Sequence, residues 1–194
     1  MSKRILIIDG HPDALAERYL HALSKAYCDG AHAGGHEVRS IIVSELDFSL
    51  LRTSHDFQEG VPTESIGKCQ ELVSWAEHVV ILFPLWLGGM PALLKGFLEQ
   101  VLRPAFAFRA DSHGWPKKLL KGRSARVIIT MGMPAALYRW YFGAHGLKSL
   151  RRNILHFCGF SPIRESLIGA VEDIGAKGRG IWLAKIQKLG RHAR

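Results

Sequence analysis

Short, largely apolar segments that alternate with helical patterns are the feature that most constrains the fold of this chain. The clearest are KRILIID (3–9), VVILF (79–83) and ARVIIT (125–130). Such runs are typical of strands buried on both faces, as in parallel sheets. Parallel strands need a crossover between them, and that crossover is usually a helix. The segments therefore predict an α/β protein.

Two further strands and five helices complete the predicted alternation. The strands are expected over 37–43 and 166–171, and the helices over 13–33, 65–76, 91–102, 147–158 and 174–189, with an irregular stretch over 44–62. Right-handed crossovers in this order predict a three-layer, flavodoxin-like fold whose five-stranded parallel sheet has the order 2-1-3-4-5. Because no repeat, low-complexity tract or linker interrupts residues 1–194, we expect a single domain.

Composition and charge exclude several classes of protein. The net charge is +9, but no acid follows Asp173, so much of the charge is best explained as a solvated basic face on the last helix. Attraction of phosphates or of a membrane surface is the alternative explanation. No helix-turn-helix, zinc-finger or aromatic RNA-binding signature is present, so we expect no nucleic-acid partner. Neither a secretory signal nor a membrane-spanning stretch is visible, which predicts a cytoplasmic protein.

The cysteine and histidine patterns point away from disulfides, metals and nucleophilic catalysis. Cys28, Cys69 and Cys158 are widely spaced, which predicts free thiols in a reducing compartment. The ten histidines show no metal-ligand spacing, and we predict no metal site. A G-x-S-x-G nucleophile motif is also absent from the sequence.

Three unusual segments follow predicted strands. They are GHP (10–12), FPLWLGGMP (83–91) and TMGMPAALYRWYFGAHG (130–146). Open parallel sheets bind ligands beyond the carboxyl ends of their strands, near the point where the strand order reverses. We therefore expect the three segments to converge at one edge of the sheet.

The first two of these segments carry residues suited to a ligand with a phosphate and a flat ring. His11 precedes a predicted helix N-terminus, which favours anions, although neither a P-loop nor a G-x-G-x-x-G motif is present. Trp86 and Leu87 lie among glycines that permit close approach of the backbone. The alternatives are that Pro12 and Asp13 merely start and cap the helix, or that the second segment is only a hydrophobic loop.

The third segment carries proton donors. Thr130 and Gly132 could offer a hydroxyl and backbone N–H groups, and Tyr138, Tyr141 and His145 could donate or relay protons. Each aromatic could instead belong to the core, with only its polar tip hydrogen-bonded.

Together these motifs resemble the flavodoxin-like NAD(P)H:quinone oxidoreductases of the DT-diaphorase type. The resemblance is carried by FPLWLGGMPALLKGFLEQVL (83–102), GAHG (143–146), ILHFCGF (154–160) and the GHP after strand one, and it covers roughly residues 3–170. It implies a bound flavin, FAD with FMN as the alternative. It also implies a ping-pong hydride transfer, in which NAD(P)H first reduces the flavin and a quinone or similar acceptor then takes the hydride.

The resemblance implies roles for particular residues. Those expected along the isoalloxazine ring are Pro84, Leu85, Trp86 and Leu87, although relatives often have an aromatic where this chain has Leu87. Those expected at the flavin phosphate and ribityl chain are His11 and Tyr19, although relatives often have a Ser-Phe-Asn-like run where this chain has 18–20.

The same resemblance assigns the third segment to the other edge of the flavin. Thr130 and Gly132 would lie near its pyrimidine, and Tyr138 and His145 would bond the ring and stabilise charge during hydride transfer. The spacing from Tyr138 to His145 is one residue longer than in relatives, so Tyr141 remains an alternative to Tyr138.

Family members are usually homodimers with the active site at the subunit boundary. The loop RPAFAFRA (103–110) would then lend Phe106 and Phe108 to the partner's site, and exposed aromatics favour burial in an interface. Two alternatives to an enzyme stay open. One is a flavin-binding regulatory subunit of a membrane transporter, docked through the face of the last helix that carries Trp182, Ile186 and Leu189. The other is a one-electron flavodoxin-type carrier.

Overall fold

The fold is built on a five-stranded parallel sheet. The computed structural model describes residues 2–109 and 116–194. Its strands are β1 (Arg4–Asp9), β2 (Glu37–Ile42), β3 (His78–Pro84), β4 (Phe108–Arg109), β5 (Lys117–Lys118), β6 (Ser124–Thr130) and β7 (Ile163–Ile168). The large sheet has the order β2-β1-β3-β6-β7, which follows the predicted 2-1-3-4-5 pattern, while β4 and β5 form a separate antiparallel ribbon.

Helices cover both faces of this sheet. They are α1 (Tyr19–Ala33), α2 (Ser54–Gln58), α3 (Glu64–Trp75), α4 (Ala92–Val101), α5 (Ala135–Trp140), α6 (His145–Lys148), a π-helix (Ser149–His156) and α7 (Gly175–Arg191). Alternate residues of β1 enter opposite cores, since Ile5 and Ile7 pack against α1 and α7 while Leu6 and Ile8 pack against α3 and α4. This two-sided burial accounts for the nearly continuous apolar runs in the sequence.

The last helix is closely packed against the first. A Cβ at Gly30 would overlap the Gln187 carbonyl oxygen, and a Cβ at Gly190 would overlap that of Tyr27. Ile186 is fully buried, and Trp182 and Leu189 on the same face of α7 pack against the core between α7, α1 and the sheet. The face that the sequence offers for docking to a transporter is therefore engaged within the domain.

Element boundaries differ from the prediction at α1, at β7 and in the stretch 44–62, among other places. Helix α1 begins at Tyr19 rather than at residue 13, because the Asp13 carboxylate accepts a hydrogen bond from Leu15 N at 2.9 Å and pairs with Arg18. Strand β7 begins three residues earlier than expected, at Ile163. The stretch 44–62 is not wholly irregular, since it contains α2, which begins with a reciprocal cap between Thr53 and Asp56.

The described residues include three free cysteines, no cluster suited to a metal ion and no helix that could span a membrane. All three cysteines are free, and burial raises the pKa of the Cys158 thiol to about 12. Within residues 2–109 and 116–194, no group of three or more His, Cys, Asp or Glu side chains could hold a metal ion. No helix in those ranges combines the length and apolarity that crossing a membrane requires.

Candidate functional site

The three segments that follow β1, β3 and β6 converge, as the sequence predicts. Gly10 N donates to the Leu82 carbonyl at 2.8 Å, and the His11 and Trp86 rings lie 6.5 Å apart, edge to face. On the other side, a Cβ at Gly146 would overlap the carbonyl oxygen of Gly88, so two backbones touch there. The carboxyl edge of the sheet therefore carries one continuous set of loops.

The loop after β3 ends in a tight turn with an exposed apolar tip. Trp86 N donates to Gly89 O at 3.0 Å, and Gly89 N returns a bond to Trp86 O at 2.9 Å. The two residues between them, Leu87 and Gly88, have φ values of 47° and 79°. A left-handed conformation costs a leucine about 1–2 kcal/mol, yet Leu87 is fully exposed and buries nothing within the chain. Strain kept at an exposed position points to a functional role for the tip.

A buried carboxylate organises the loop after β1. Asp9 is 4% exposed and accepts from His11 N at 3.1 Å, while its other oxygen lies 2.7 Å from His21 Nδ1. The second ring nitrogen of His21 lies 2.9 Å from the Asp13 carbonyl oxygen. Burial lowers the pKa of His21, but the hydrogen bonds to Asp9 and Asp13 outweigh it, and the net effect raises the pKa. His21 therefore holds its proton more firmly than an ordinary histidine.

His11 behaves in the opposite way. Burial and the nearby charge of His21 lower the pKa of His11, although Asp13 and Asp9 oppose the shift. Its Nδ1 lies 3.0 Å from Asp13 N, which donates to it. At neutral pH the His11 ring is thus uncharged, and it lies beside Trp86 and 5.3 Å from the ring of His21.

The segment after β6 divides into buried and exposed residues. Tyr138 is 1% exposed, and its hydroxyl accepts a hydrogen bond from Leu147 N at 3.1 Å. Burial raises the pKa of Tyr138 and keeps the phenol protonated. Tyr141, in contrast, is 78% exposed. His145 is exposed at the start of α6, next to Gly146 and so beside the turn at Gly88.

The remaining predicted contacts of this segment lie at the end of β6. Thr130 is 6% exposed, and its carbonyl oxygen accepts from Leu85 N at 2.8 Å, which ties the two strand ends together. Gly132 is exposed, with open space where a Cβ would lie. The backbone at Gly132 is therefore accessible to a ligand.

Three predicted residues are not brought into this edge. The Tyr19 hydroxyl donates to the Arg179 carbonyl at 3.0 Å, so the side chain faces α7. Phe106 and Phe108 are half-buried rather than exposed, because both pack against the core and Phe108 lies 4.8 Å from the ring of Phe157. Phe108 lines a cavity of about 440 Å³ between α4 and the π-helix, to which none of the three converging segments contributes. Residue 110 of that predicted loop lies outside the described residues.

Sequence reasoning missed Asp9 and His21. Asp9 is the last residue of a strand buried on both faces, and a charge in such a place needs a partner. That requirement is the signal that could have directed attention to a nearby cation, but the sequence alone does not say which residue of α1 reaches back.

The groups at this edge suit the flavin expected from the sequence. Trp86 and Leu87 offer exposed apolar surface to a flat ring. Within the described ranges, His11 Nε2 and the backbone N–H groups of Leu87 and Gly88 have no hydrogen-bond partner, and they could serve polar atoms or a phosphate. An apolar wall with a few convergent donors is the usual composition of a cofactor site.

Comparisons with known proteins agree with the fold. A family model described as "Flavodoxin-like fold" matches residues 3–188. An uncharacterized NAD(P)H oxidoreductase of Haemophilus influenzae is 26% identical over 178 residues, which cover 90% of this chain and 87% of that protein. A crystal structure of an FMN-dependent NADH-azoreductase from Bacillus anthracis, in complex with FMN, superimposes with a TM-score of 0.79 at 19% identity over the whole of both chains.

A longer relative is more similar over a shorter region. The ribosyldihydronicotinamide dehydrogenase [quinone] of Homo sapiens is 31% identical over 148 residues. These cover 72% of this chain but only 63% of the human protein, so the match spans less than two thirds of that relative's length.

Proposed function

We propose, since the chain belongs to the family of flavodoxin-like NAD(P)H:quinone oxidoreductases, that it is a flavin-dependent enzyme passing electrons from NAD(P)H to a quinone or related acceptor. The observation that carries the proposal is the convergence of the loops after β1, β3 and β6 on one edge. There an exposed tryptophan and leucine stand beside an uncharged histidine donor.

The residues of this edge would each contact a different part of the flavin. His11 would donate to the phosphate, Trp86 and Leu87 would lie along the ring with Pro84 and Leu85, and the backbone around Thr130 and Gly132 would face the pyrimidine. When bound, the flavin would supply two-electron chemistry between NAD(P)H and the acceptor. Tyr19 could take part only through its ring, since its hydroxyl is engaged with Arg179.

His145 is the proposed proton donor at the ring. It is exposed at the start of a helix that abuts the turn at Gly88, and a donor there would stabilise negative charge that develops as electrons arrive. Tyr138 would act beside it by holding Leu147 N and thereby the turn that carries His145. Tyr141 remains the alternative for a direct contact because its ring is accessible.

The flavin is proposed to be FAD, with FMN as the alternative. Absorption spectra of purified protein, before and after incubation with FAD or FMN, test the proposal directly. A flavin spectrum and quinone-dependent oxidation of NAD(P)H are expected, and release of the bound flavin identifies its form. Protein that stays colourless with both flavins would contradict the proposal.

A pair of glycine substitutions locates the site. Gly146→Ala places a Cβ against the Gly88 carbonyl oxygen and should separate the two loops, lowering flavin affinity by about tenfold or more. Gly67→Ala is the control, because a Cβ there meets nothing within 4 Å. Equal flavin affinity in the two variants would place the flavin elsewhere.

A homodimer is proposed as the functional form. Leu137, Trp140 and Phe142 on and after α5 are exposed, as is Tyr141, and a second copy would cover such a patch. The cavity beside Phe108 offers further apolar surface. Sedimentation at micromolar concentration should show a dimer, and a monomer alone would contradict this part of the proposal.

Cytoplasmic location remains a prediction, and a regulatory subunit of a membrane transporter remains the alternative to an independent enzyme. Cell fractionation addresses both, because a transporter subunit would follow the membrane fraction at low salt and leave it at high salt. Lys185→Glu together with Lys188→Glu would abolish such an association. Recovery in the soluble fraction at every salt concentration favours the enzyme.

A further inference from the structure

We propose that His21 is a positioning residue that sets the orientation and the tautomer of His11, because it takes the acceptor that both histidines could use, the carbonyl oxygen of Asp13. The local role stands on the geometry alone. Its consequence for a phosphate-bearing ligand rests on the proposed flavin function.

His21 is clamped between two acceptors. Its Nδ1 lies 2.7 Å from the Asp9 carboxylate and its Nε2 lies 2.9 Å from Asp13 O. A carboxylate and a carbonyl have no proton to give, so both ring nitrogens must donate, and the ring is an imidazolium. The two side chains of the ion pair are only 18% and 6% exposed, which limits competition from water.

His11 lies within hydrogen-bond distance of both polar backbone atoms of Asp13. Its Nδ1 lies 3.0 Å from Asp13 N and 3.1 Å from Asp13 O, and it can satisfy only one of them in a given tautomer. Asp13 O already accepts from the His21 imidazolium, which makes it a weaker acceptor for a second N–H, whereas Asp13 N has no acceptor other than His11 within the described ranges. Nδ1 of His11 is therefore the unprotonated nitrogen, which accepts from Asp13 N, and Nε2 carries the proton.

The charged groups around His21 come from every neighbouring element. Asp9 belongs to β1, and Asp13, itself paired with Arg18, belongs to the loop. On α1, Lys25, which is paired with Asp29, and the titratable thiol of Cys28 line one cavity with His21. Glu45, which follows β2, lines this cavity of about 540 Å³ together with Asp9 and His21.

These surroundings agree with the geometry. Burial lowers the pKa of both histidines, but only His21 has a carboxylate at hydrogen-bond distance, and its pKa is raised while that of His11 is lowered. The loop thus offers a neutral N–H donor backed by a fixed positive charge. That combination favours an anionic group such as the phosphate of a flavin nucleotide.

Nitrogen NMR of the full chain with ¹⁵N-histidine tests the local role without any ligand. At neutral pH we expect His21 to be protonated at both nitrogens and His11 to carry its proton on Nε2. In His21→Phe the carbonyl oxygen of Asp13 no longer accepts from residue 21 and becomes a better acceptor for His11 Nδ1. His11 should then shift towards the Nδ1–H tautomer. His32→Phe, on the exposed end of the same helix, is the matched control and should leave His11 unchanged.

A second variant keeps the test decisive should His21→Phe fail to fold. Asp9→Asn removes the charge but keeps an acceptor for His11 N. The pKa of His21 should then fall below its wild-type value in an NMR titration. A neutral His21 at neutral pH in the wild type, an Nδ1–H His11, or an unchanged His11 tautomer in a folded His21→Phe variant would each overturn the proposal.

Binding of FMN and riboflavin tests the consequence for the ligand. The preference for FMN over riboflavin should fall by about tenfold in His21→Phe and in His11→Phe, the loss expected for one charge-assisted hydrogen bond. Riboflavin affinity should change by no more than about twofold, since it lacks the phosphate. An unchanged preference in His21→Phe would overturn this consequence. If the wild type binds none of FAD, FMN and riboflavin, the proposed function fails, while the NMR result still decides the role of His21.

Discussion

His21 and His78 lie at opposite ends of the sheet and show how its two edges differ. His21 at the carboxyl edge lies 2.7 Å from a carboxylate, and His78 at the start of β3 lies 2.7 Å from the Ser124 hydroxyl. The pKa of His21 is raised, whereas burial, with further contributions from cations that include Lys3 and Arg126, lowers the pKa of His78 to about 3. Equal distances thus accompany opposite pKa shifts, because the charge of the partner and the depth of burial decide the direction.

The difference separates a chemical edge from a structural one. His78 is fully buried, its Nε2 has no partner in the described ranges, and its ring is stacked against Tyr27. At the other end, His11 and His145 are accessible to a ligand. Substitutions at the amino edge should therefore change stability, and those at the carboxyl edge should change binding and turnover.

The largest expected effect is acid destabilisation through His78. The pKa of His78 is about 3 in the folded protein and 6.5 for an ordinary histidine, which we take for the unfolded chain. Between pH 3 and pH 6.5 the unfolded chain therefore binds a proton that the folded protein does not. The stability contribution is full above pH 6.5 and falls as the pH is lowered, by about 1.4 kcal/mol per unit or roughly 5 kcal/mol across the window. Urea unfolding of the wild type and of His78→Phe at several pH values measures it. Parallel pH profiles of the two proteins would contradict this view of the amino edge.

The next effect belongs to the carboxyl edge. His145→Ala should slow quinone reduction by about a hundredfold, because it removes a proposed proton donor, while flavin affinity changes by no more than about threefold. Steady-state kinetics and flavin titration give the two numbers, with His32→Ala as the control. If both quantities fall together, His145 binds the flavin rather than assisting turnover.

Tyr138 and Tyr141 separate an effect on stability from an effect on turnover, because one is buried and the other is exposed. Tyr138→Phe leaves the buried Leu147 N–H without an acceptor and should cost about 1–3 kcal/mol of unfolding free energy. Tyr141→Phe is matched in chemistry but exposed, and it should leave stability unchanged. Thermal unfolding measures both proteins. A larger loss of turnover in Tyr141→Phe than in Tyr138→Phe would make Tyr141 the residue that meets the ring.

The smallest expected effect runs against the usual direction. Leu87→Gly relieves a left-handed backbone and should raise the unfolding free energy by about 0.5–1 kcal/mol. It should also weaken flavin binding by about threefold, since apolar surface is lost. Val61→Gly, at an exposed position with ordinary φ, should not stabilise the protein. A destabilised Leu87→Gly protein would show that the turn is not strained.

The sequence predicts the framework of the fold because the framework depends on local patterns. Strands β1, β3 and β6 fall within a residue or two of the apolar runs, since two-sided burial requires such runs. Strand β7 lies at the sheet edge with Arg164 and Glu165 in its sequence, so its apolar pattern is weaker and the predicted start is three residues late.

The parts of the site that escape prediction depend on side chains meeting across the chain. Asp13 looks like a helix cap, but its carboxylate closes a turn with Leu15 and Arg18 and so delays α1. Nothing in the spacing of Asp9 and His21 reveals that they pair. The burial of Tyr138 likewise follows from how α5 packs, while Tyr141, of the same residue type, faces solvent.

The contact between Gly88 and Gly146 joins two loops through backbone atoms alone. No pair of side chains records that contact, so substitutions at one position cannot be compensated by a change of size at the other. A search for covarying positions among relatives would pass over the junction that holds the two sides of the site together. An invariant glycine at position 146 is the trace that it should leave instead, because a Cβ at Gly88 would meet nothing within 4 Å and the contact there is made by the carbonyl oxygen.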